Sequence, residues 1–586
     1  MRSLVVAVVA VAALACPTAS AGASSPPLPD PNVGGTILPR PCAYDGHDRY
    51  EKRFYRQEGW KGPDYERYPG ACQRLRFAYG PIIVKPGQND VLVGPVTIEK
   101  PLQDGYITRF KPNLVRADGT VPPIEQVHLH HGTWLSEPSY GSGPFFAAGE
   151  EKTIAPFPKG YGMPVGATDQ WQLLYMVHSA IAQTDVVYIT YDIDFVPEDK
   201  AEKLGIKPAY PVWLDVRPSG YPVFNAQRDF GGNDGTCTWP RQKCAAFDPW
   251  GKEFTGQGKP GNKQGTDLSL PDRGESLGRI QSFTGGTLIG IGGHVHPGGL
   301  ENRINLVRGD KSTRIYTGKA AYWNRKHPGR PGGPPTSWDF SMRVTGLPKW
   351  GVRVKPGDRL RSNATYDTKI QSTYENMGIA VALLAPDRPD GSHTAKGVNP
   401  FKAKKDRSPK CRSGGLENRP RTLCDKGIVT HGHLPESDNF GGPAGGWDAR
   451  TGPGTGLVGI ANFLYEPGDL STISMTGLPT VKLGSDLRFA NTEGGAIYHT
   501  VTSCAYPCKG ETGTAYPLSN GRTSEGRQLD FDSSELGVGP PAIGPASQRL
   551  TWELPVTKQS GFKPGEVVTY YCRVHPFMRG AFEVTK

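Results

Sequence analysis

Near the carboxy terminus, Tyr571-Cys572-Arg573-Val574-His575-Pro576-Phe577-Met578 places a thiol, an imidazole and a thioether at three-residue intervals. One tight loop with that spacing can aim all three at a single ion. A blue-copper electron-transfer site takes two His, one Cys thiolate and a weak axial Met in a trigonal arrangement. The second imidazole must come from an earlier strand. His499, in the β-type run Ala496-Ile497-Tyr498-His499-Thr500-Val501, is suitably placed to supply it. The ligand set read from the chain is therefore His499, Cys572, His575 and Met578, with copper as the metal.

The stretch Cys572-Arg573-Val574-His575-Pro576-Phe577-Met578-Arg579-Gly580 resembles the cupredoxin family of amicyanin and plastocyanin, whose loop has the form Cys-x-x-His-Pro-Phe-Met-Arg-Gly. The resemblance implies a C-terminal Greek-key β-sandwich with one type 1 copper. Cysteine usage agrees with a free thiolate at this place. Of the ten cysteines, eight fall into neighbouring pairs, 42/72, 237/244, 411/424 and 504/508, which suit local disulfides in an exported protein. Cys16 lies in a segment expected to be removed, and Cys572 is left for a metal.

Histidines in the middle of the chain carry a second signal. Val127-His128-Leu129-His130-His131-Gly132 is followed by Met176-Val177-His178, then by Gly293-His294-Val295-His296-Pro297 and by Asn376-Met377-Gly378. In a strand, residues two apart share a face, so His294 and His296 can chelate one ion from one side of a sheet. By the same rule His128 and His130 form a pair that competes with His130 and His131. Neutral imidazole suits copper or zinc, and a thioether from Met377 tilts the choice to copper. Taken singly, His178 after an apolar run reads as a core histidine and Met377 as core packing.

In order, these pieces resemble the copper type II monooxygenases, the peptidylglycine and dopamine hydroxylase family. The run Val354-Lys-Pro-Gly-Asp-Arg-Leu-Arg-Ser-Asn-Ala-Thr-Tyr-Asp-Thr followed by Met377 shares that family's wording. The resemblance covers roughly residues 95–385. It implies two jelly-roll-like β-sandwiches and two type 2 coppers that lie far apart and share no ligands. One would be held by His130, His131 and His178, passing electrons. The other, held by His294, His296 and Met377, would activate O2 and hydroxylate a C–H bond of an organic substrate. A reductant is then required, ascorbate in that family or a redox protein, and the blue-copper domain is expected to act as an electron relay. Two departures argue against a C-terminal glycine peptide as substrate: Gly292 stands where the peptide-amidating members have Arg, and Ile379 where they have Asn. Multicopper oxidases also join His-x-His motifs to a blue-copper site, but they flank its Cys with His. Here the flanks are Tyr571 and Arg573. A non-catalytic copper-binding or electron-carrier protein is the other alternative.

The elements that must position these residues read as strands. Short alternating apolar runs such as Val186-Val-Tyr-Ile-Thr-Tyr-Asp-Ile and Ile379-Ala-Val-Ala-Leu-Leu are separated by Gly/Pro turns, and helical periodicity is scarce. The expectation is an all-β chain. Residues 1–21 read as an export signal, with Arg2, an apolar stretch and Ala19-Ser20-Ala21 as a cleavage site. Ala13-Leu14-Ala15-Cys16 is close to a lipoprotein box, with Leu one place out of position. Two sandwiches at 22–200 and 201–386, a Gly/Pro-rich connector at 387–455 and a cupredoxin domain at 456–586 complete the division. Histidines at 431 and 433 of the connector, like His327 and His393, read as solvated loop residues. The formal charge of +11 is scattered along the chain and gives no reason to expect nucleic acid. No run long enough to span a bilayer follows the signal. The mature chain is thus expected to work outside the cytoplasm, where copper and disulfides are both permitted.

Overall fold

The computed structural model describes, with short internal gaps, residues 66–216, 224–226, 235–244, 267–322, 338–402, 451–508, 521–538 and 549–586, together with short pieces at 35–38, 42–43, 55–56, 411–412, 415–416 and 425–426. The expected signal, Cys16, Cys424 and with it the expected Cys411/Cys424 pairing, and the histidines at 327, 431 and 433 lie outside the described residues. The architecture is all-β, built from paired sheets. No helix among the described residues is long and apolar enough to cross a membrane.

In the first group of strands, β1 (Gln73–Val84), β2 (Leu92–Ile98), β3 (Gly105–Arg116), β4 (Val127–Glu137), β5 (Pro144–Gly149), β6 (Gln170–Ser179) and β7 (Asp185–Pro197) form two facing sheets. One has β7 between β1 and β3, and the other runs β2-β6-β4-β5, each pairing antiparallel. Alternation explains the layering: Val187, Ile189, Tyr191, Ile193 and Phe195 of β7 are all buried, as period-2 side chains on one face must be. The opposite face buries Asp192 and Asp194, and each is paired. Arg74 reaches Asp194 through two bonds of 2.6 and 3.0 Å, and Arg76 reaches Asp192 at 2.7 and 2.9 Å. Carboxylates tolerate such burial when a guanidinium fork satisfies both oxygens.

The second group contains β8 (Tyr210–Asp215), β9 (Gly286–His294), β10 (Gly299–Arg308), β11 (Lys311–Lys319), β12 (Arg359–Asp367) and β13 (Ile379–Pro386). Its sheets run β8-β13-β9 and β12-β10-β11, again antiparallel. One apolar cluster extends from Leu75 to Ala395 through both groups, so their interiors are continuous. Each fully buried large apolar side chain in it contributes roughly 1.5–3 kcal/mol against the cost of ordering the chain.

The C-terminal group packs two mixed sheets around a separate core that includes Leu487, Phe489, Val568, Tyr570, Phe582 and Val584. Its strands are β14 (Leu457–Ala461), β15 (Leu478–Lys482), β16 (Ser485–Asn491), β17 (Thr502–Ser503), β18 (Thr551–Val556), β19 (Val567–Tyr571) and β20 (Arg579–Thr585). Pairs β14/β16 and β15/β20 are parallel, and the β16/β18 and β19/β20 pairs are antiparallel. Phe577 packs against both this core and the large N-terminal one. Among the described residues three disulfides are formed, Cys42–Cys72, Cys237–Cys244 and Cys504–Cys508, and Cys572 is a buried free thiol.

Candidate metal centres

Two buried clusters of ligand atoms stand out. The first lies where β19 ends and the chain turns toward β20. Cys572 follows the last residue of β19, and Met578 precedes the first of β20. Backbone bonds pinch this loop shut, from Cys572 N to the Met578 carbonyl at 3.1 Å and from Met578 N to the His575 carbonyl at 2.9 Å. His499 arrives from the segment before β17, anchored by the Asn491 amide, which donates to the carbonyls of Ile497 and Leu536. The Nδ1 atoms of His499 and His575 are 3.1 Å apart, and the Cys572 Sγ is 3.8 Å from the His575 Nδ1. Two bonds of roughly 2 Å from one ion, at near-tetrahedral angles, put donor nitrogens about 3 Å apart.

The outer ring nitrogens decide the tautomers. His499 Nε2 bonds the Glu493 carboxylate at 2.7 Å, and His575 Nε2 bonds the Gly87 carbonyl at 2.5 Å. A carbonyl or a carboxylate can only accept, so both Nε2 atoms carry protons and both Nδ1 lone pairs face Cys572. Burial alone would lower the His499 pKa, yet its bonds to Cys572 and Glu493 raise it. Burial would raise the Cys572 thiol, but the adjacent imidazoles hold it well below the ordinary value of 9.0. The sulfur also accepts backbone N–H groups from Thr500 at 3.2 Å and His575 at 3.4 Å. A buried thiolate with two facing imidazoles is the donor set of a soft, redox-active ion such as copper. Met578, 1% exposed, is packed in the same core as Cys572.

The second cluster gathers the mid-chain histidines at the ends of β4, β6 and β9. His128 pairs across from His178, and the register then shifts by one residue between Leu129 and His131. That bulge falls on His130. Neighbouring side chains of a regular strand point to opposite faces, and a bulge re-aims one of them. The Nδ1 atoms of His130 and His131 consequently converge to 3.0 Å. The His178 ring stacks on His130 at 4.0 Å, and the His128 ring stands 5.3 Å from His178. From the second group of strands, His294 closes β9, and His296 lies two residues on, their rings 4.8 Å apart. The Tyr366 hydroxyl holds this corner. It accepts from His296 N at 2.8 Å and Met377 N at 3.2 Å, and donates to the Met377 carbonyl at 2.8 Å.

The two histidine sets are not far apart. The His130 and His296 rings are 4.3 Å from one another, and ligand atoms of His130, His131 and His296 lie within 4.8 Å of one another. The separation implied by the monooxygenase resemblance is therefore corrected: continuous packing between the two strand groups brings both sets into one pocket. Met377 is brought beside His296 through its backbone. His296 is 1% exposed, and neither of its ring nitrogens has a hydrogen-bond partner among the described residues. Leaving such a group unsatisfied costs about 1–3 kcal/mol, a penalty that a metal ion at the ring nitrogen removes. Burial, reinforced by the neighbouring imidazoles, holds His130 and His296 well below the usual value of 6.5, and His131 falls to about 3. All three are neutral at physiological pH, the form that ligates metal.

Glu493, Gly87 and Tyr366 were not legible in the sequence as parts of these sites, because each acts through a contact that no local motif announces. The remaining cluster, Cys42, Cys72 and Asp194, is spoken for: its cysteines form a disulfide and its carboxylate binds Arg74. His393 sits on the surface, 3.3 Å from Asp387.

No protein-family model and no curated protein matches the sequence. Solved structures to which the chain is similar include a purple cupredoxin from Nitrosopumilus maritimus, at 18% identity over 22% of this chain and 100% of that chain, with a TM-score of 0.14. A copper-containing nitrite reductase from Thermus scotoductus is similar at 12% identity over 51% of this chain and 55% of that one, with a TM-score of 0.16. A multicopper oxidase from Aquifex aeolicus is similar at 10% identity over 50% of this chain and 56% of that one, with a TM-score of 0.14. The chain spans about half the length of the latter two proteins. At TM-scores this low, none of these likenesses carries an argument.

Proposed function

We propose that the chain is an extracytoplasmic copper oxidoreductase in which a blue copper, held by His499, Cys572, His575 and Met578, exchanges electrons with a second copper centre in the histidine pocket. The observation that carries this reading is the convergence of the His499 and His575 Nδ1 atoms, 3.1 Å apart, beside the buried Cys572 sulfur, which lies 3.8 Å from the His575 Nδ1. Copper at Cys572 would supply reversible one-electron transfer, and copper among the histidines would supply O2 binding and activation in its reduced state. The chain's own residues do the rest. Glu493 and Gly87 fix the imidazole tautomers, Thr500 and His575 donate N–H groups to the sulfur, and the buried loop keeps water from the thiolate. The His130 bulge and the Tyr366 hydroxyl hold the second set of nitrogens in place.

In its sharper form the activity is hydroxylation of a C–H bond of an organic substrate, with ascorbate or a redox protein as reductant. Tyr366 supports it by fastening the Met377 and His296 backbones together, beside the open ring nitrogens. We take 22–200 and 201–386 as the histidine-bearing domains and 456–586 as the blue-copper domain. Formed disulfides suit an oxidising compartment. A second reading, a non-catalytic electron carrier, is favoured by one feature: five of the six histidines are at most 7% exposed, which restricts substrate access. Oxygen uptake by copper-loaded protein with ascorbate separates the two. The enzyme consumes O2, and Met377→Ala abolishes the uptake. A carrier bleaches and recolours reversibly without any uptake.

A further inference from the structure

The bond from His575 Nε2 to the Gly87 carbonyl joins residues 488 positions apart and links the C-terminal sandwich to the first one. Gly87 lies in the turn after β1, and its neighbour Gln88 accepts a hydrogen bond through its carbonyl from Ser179 N at 2.7 Å. Ser179 closes β6 and is covalently attached to His178, whose ring stacks on His130. A continuous path of two hydrogen bonds and two short backbone segments therefore connects the Cys572 loop to the histidine pocket. We propose that His575–Gly87–Gln88–Ser179–His178 is the internal electron conduit between the two centres, and that the first sandwich occupies the face of the blue-copper loop through which an external partner would otherwise dock. The inference rests on the copper reading given above.

Gly87 is required at the crossing for two separate reasons. Its φ of +62° is a left-handed conformation that L side chains rarely adopt. A Cβ there would also stand 2.5 Å from Phe463 Cε1, and the Phe463 ring packs edge-on against His575 with centroids 4.9 Å apart. Any larger residue would push the loop and His575 apart. Phe577 seals the junction, packing on both cores. The turn is steadied from within by Lys85, whose N–H donates to the Gln88 side chain at 2.7 Å. The path uses no side-chain chemistry between His575 and His178, so composition alone could not reveal it.

The test is pulse reduction of the blue copper in fully copper-loaded, full-length protein, followed at its visible band over a range of protein concentrations. The conduit requires a reoxidation phase whose rate is independent of concentration. Gly87→Val breaks the first hydrogen bond of the path. Ser179→Pro removes the donated N–H of the second, at the last residue of its strand. Ser179→Pro is to lose the concentration-independent phase while keeping the blue absorption and the narrow-hyperfine EPR signal, whereas Gly87→Val, which also releases the His575 ring, is to lose the phase and alter that signal. If either variant, still blue, retains the wild-type rate, the conduit is overturned and the copper reading stands. If the wild-type phase is only bimolecular, the conduit is again overturned. If the wild type develops no blue band on copper loading, the underlying reading falls with it.

Discussion

Cys572 is the residue on which the proposed blue-copper site turns, because it alone supplies a thiol sulfur and the adjacent imidazoles lower its pKa toward the thiolate form. Cys572→Ser is expected to abolish the intense visible absorption and to lower bound copper by one ion per chain, leaving the histidine pocket loaded; absorption and metal analysis check both. Further from the metal, Glu566 is nearly buried and accepts from the Arg527 guanidinium, from Lys563 N at 3.1 Å and from Thr523 at 3.4 Å. Burial would raise its pKa, but these partners hold it below the ordinary 4.5. A depressed carboxylate pKa means that the folded state binds its proton less readily than the unfolded chain does. The stabilisation is thus complete above the ordinary value and is lost as pH falls through the depressed one. Glu566→Gln should cost roughly 1–3 kcal/mol at neutral pH and flatten the acid limb of the copper-free stability curve. Equal acid sensitivity in both proteins would contradict the assignment.

At the scale of elements, the bulge in β4 and the turn corner held by Tyr366 matter most. Tyr366→Phe leaves the His296 and Met377 backbone groups without their shared partner, at a cost of about 1–3 kcal/mol. It is expected to reduce copper occupancy of the histidine pocket while the Cys572 band stays intact, an outcome read by EPR of the two copper types. Local patterns made part of this legible. The three-residue spacing of Cys572, His575 and Met578 could be read directly, since one loop carries all three, and the all-β architecture followed from alternation in runs such as β7. Strand periodicity offers His128 and His130 as one face, and the adjacent pair His130 and His131 comes only from the resemblance; that their Nδ1 atoms converge rests on a register shift at His130 that periodicity does not announce. Nor did any spacing reveal that His130 meets His296, because that contact is made by packing between strand groups. The monooxygenase resemblance led instead to two separated sites.

For the whole molecule, the two centres sit in different cores bridged by Phe577 and by the Gly87 contact. Metal that binds only the folded chain stabilises it by mass action, about 2.7 kcal/mol at a hundredfold excess over Kd. Copper is therefore expected to raise the melting temperature. Cys572→Ser should remove only the part of that gain belonging to the C-terminal core; calorimetry with and without chelator checks this. The most direct measurement of the central claim is an anomalous difference map at the copper edge from crystals of the copper-loaded full chain. The account predicts one peak enclosed by His499, Cys572 and His575, and copper density among His130, His131 and His296. Loaded crystals with no peak beside Cys572, or with none in the histidine pocket, would contradict it.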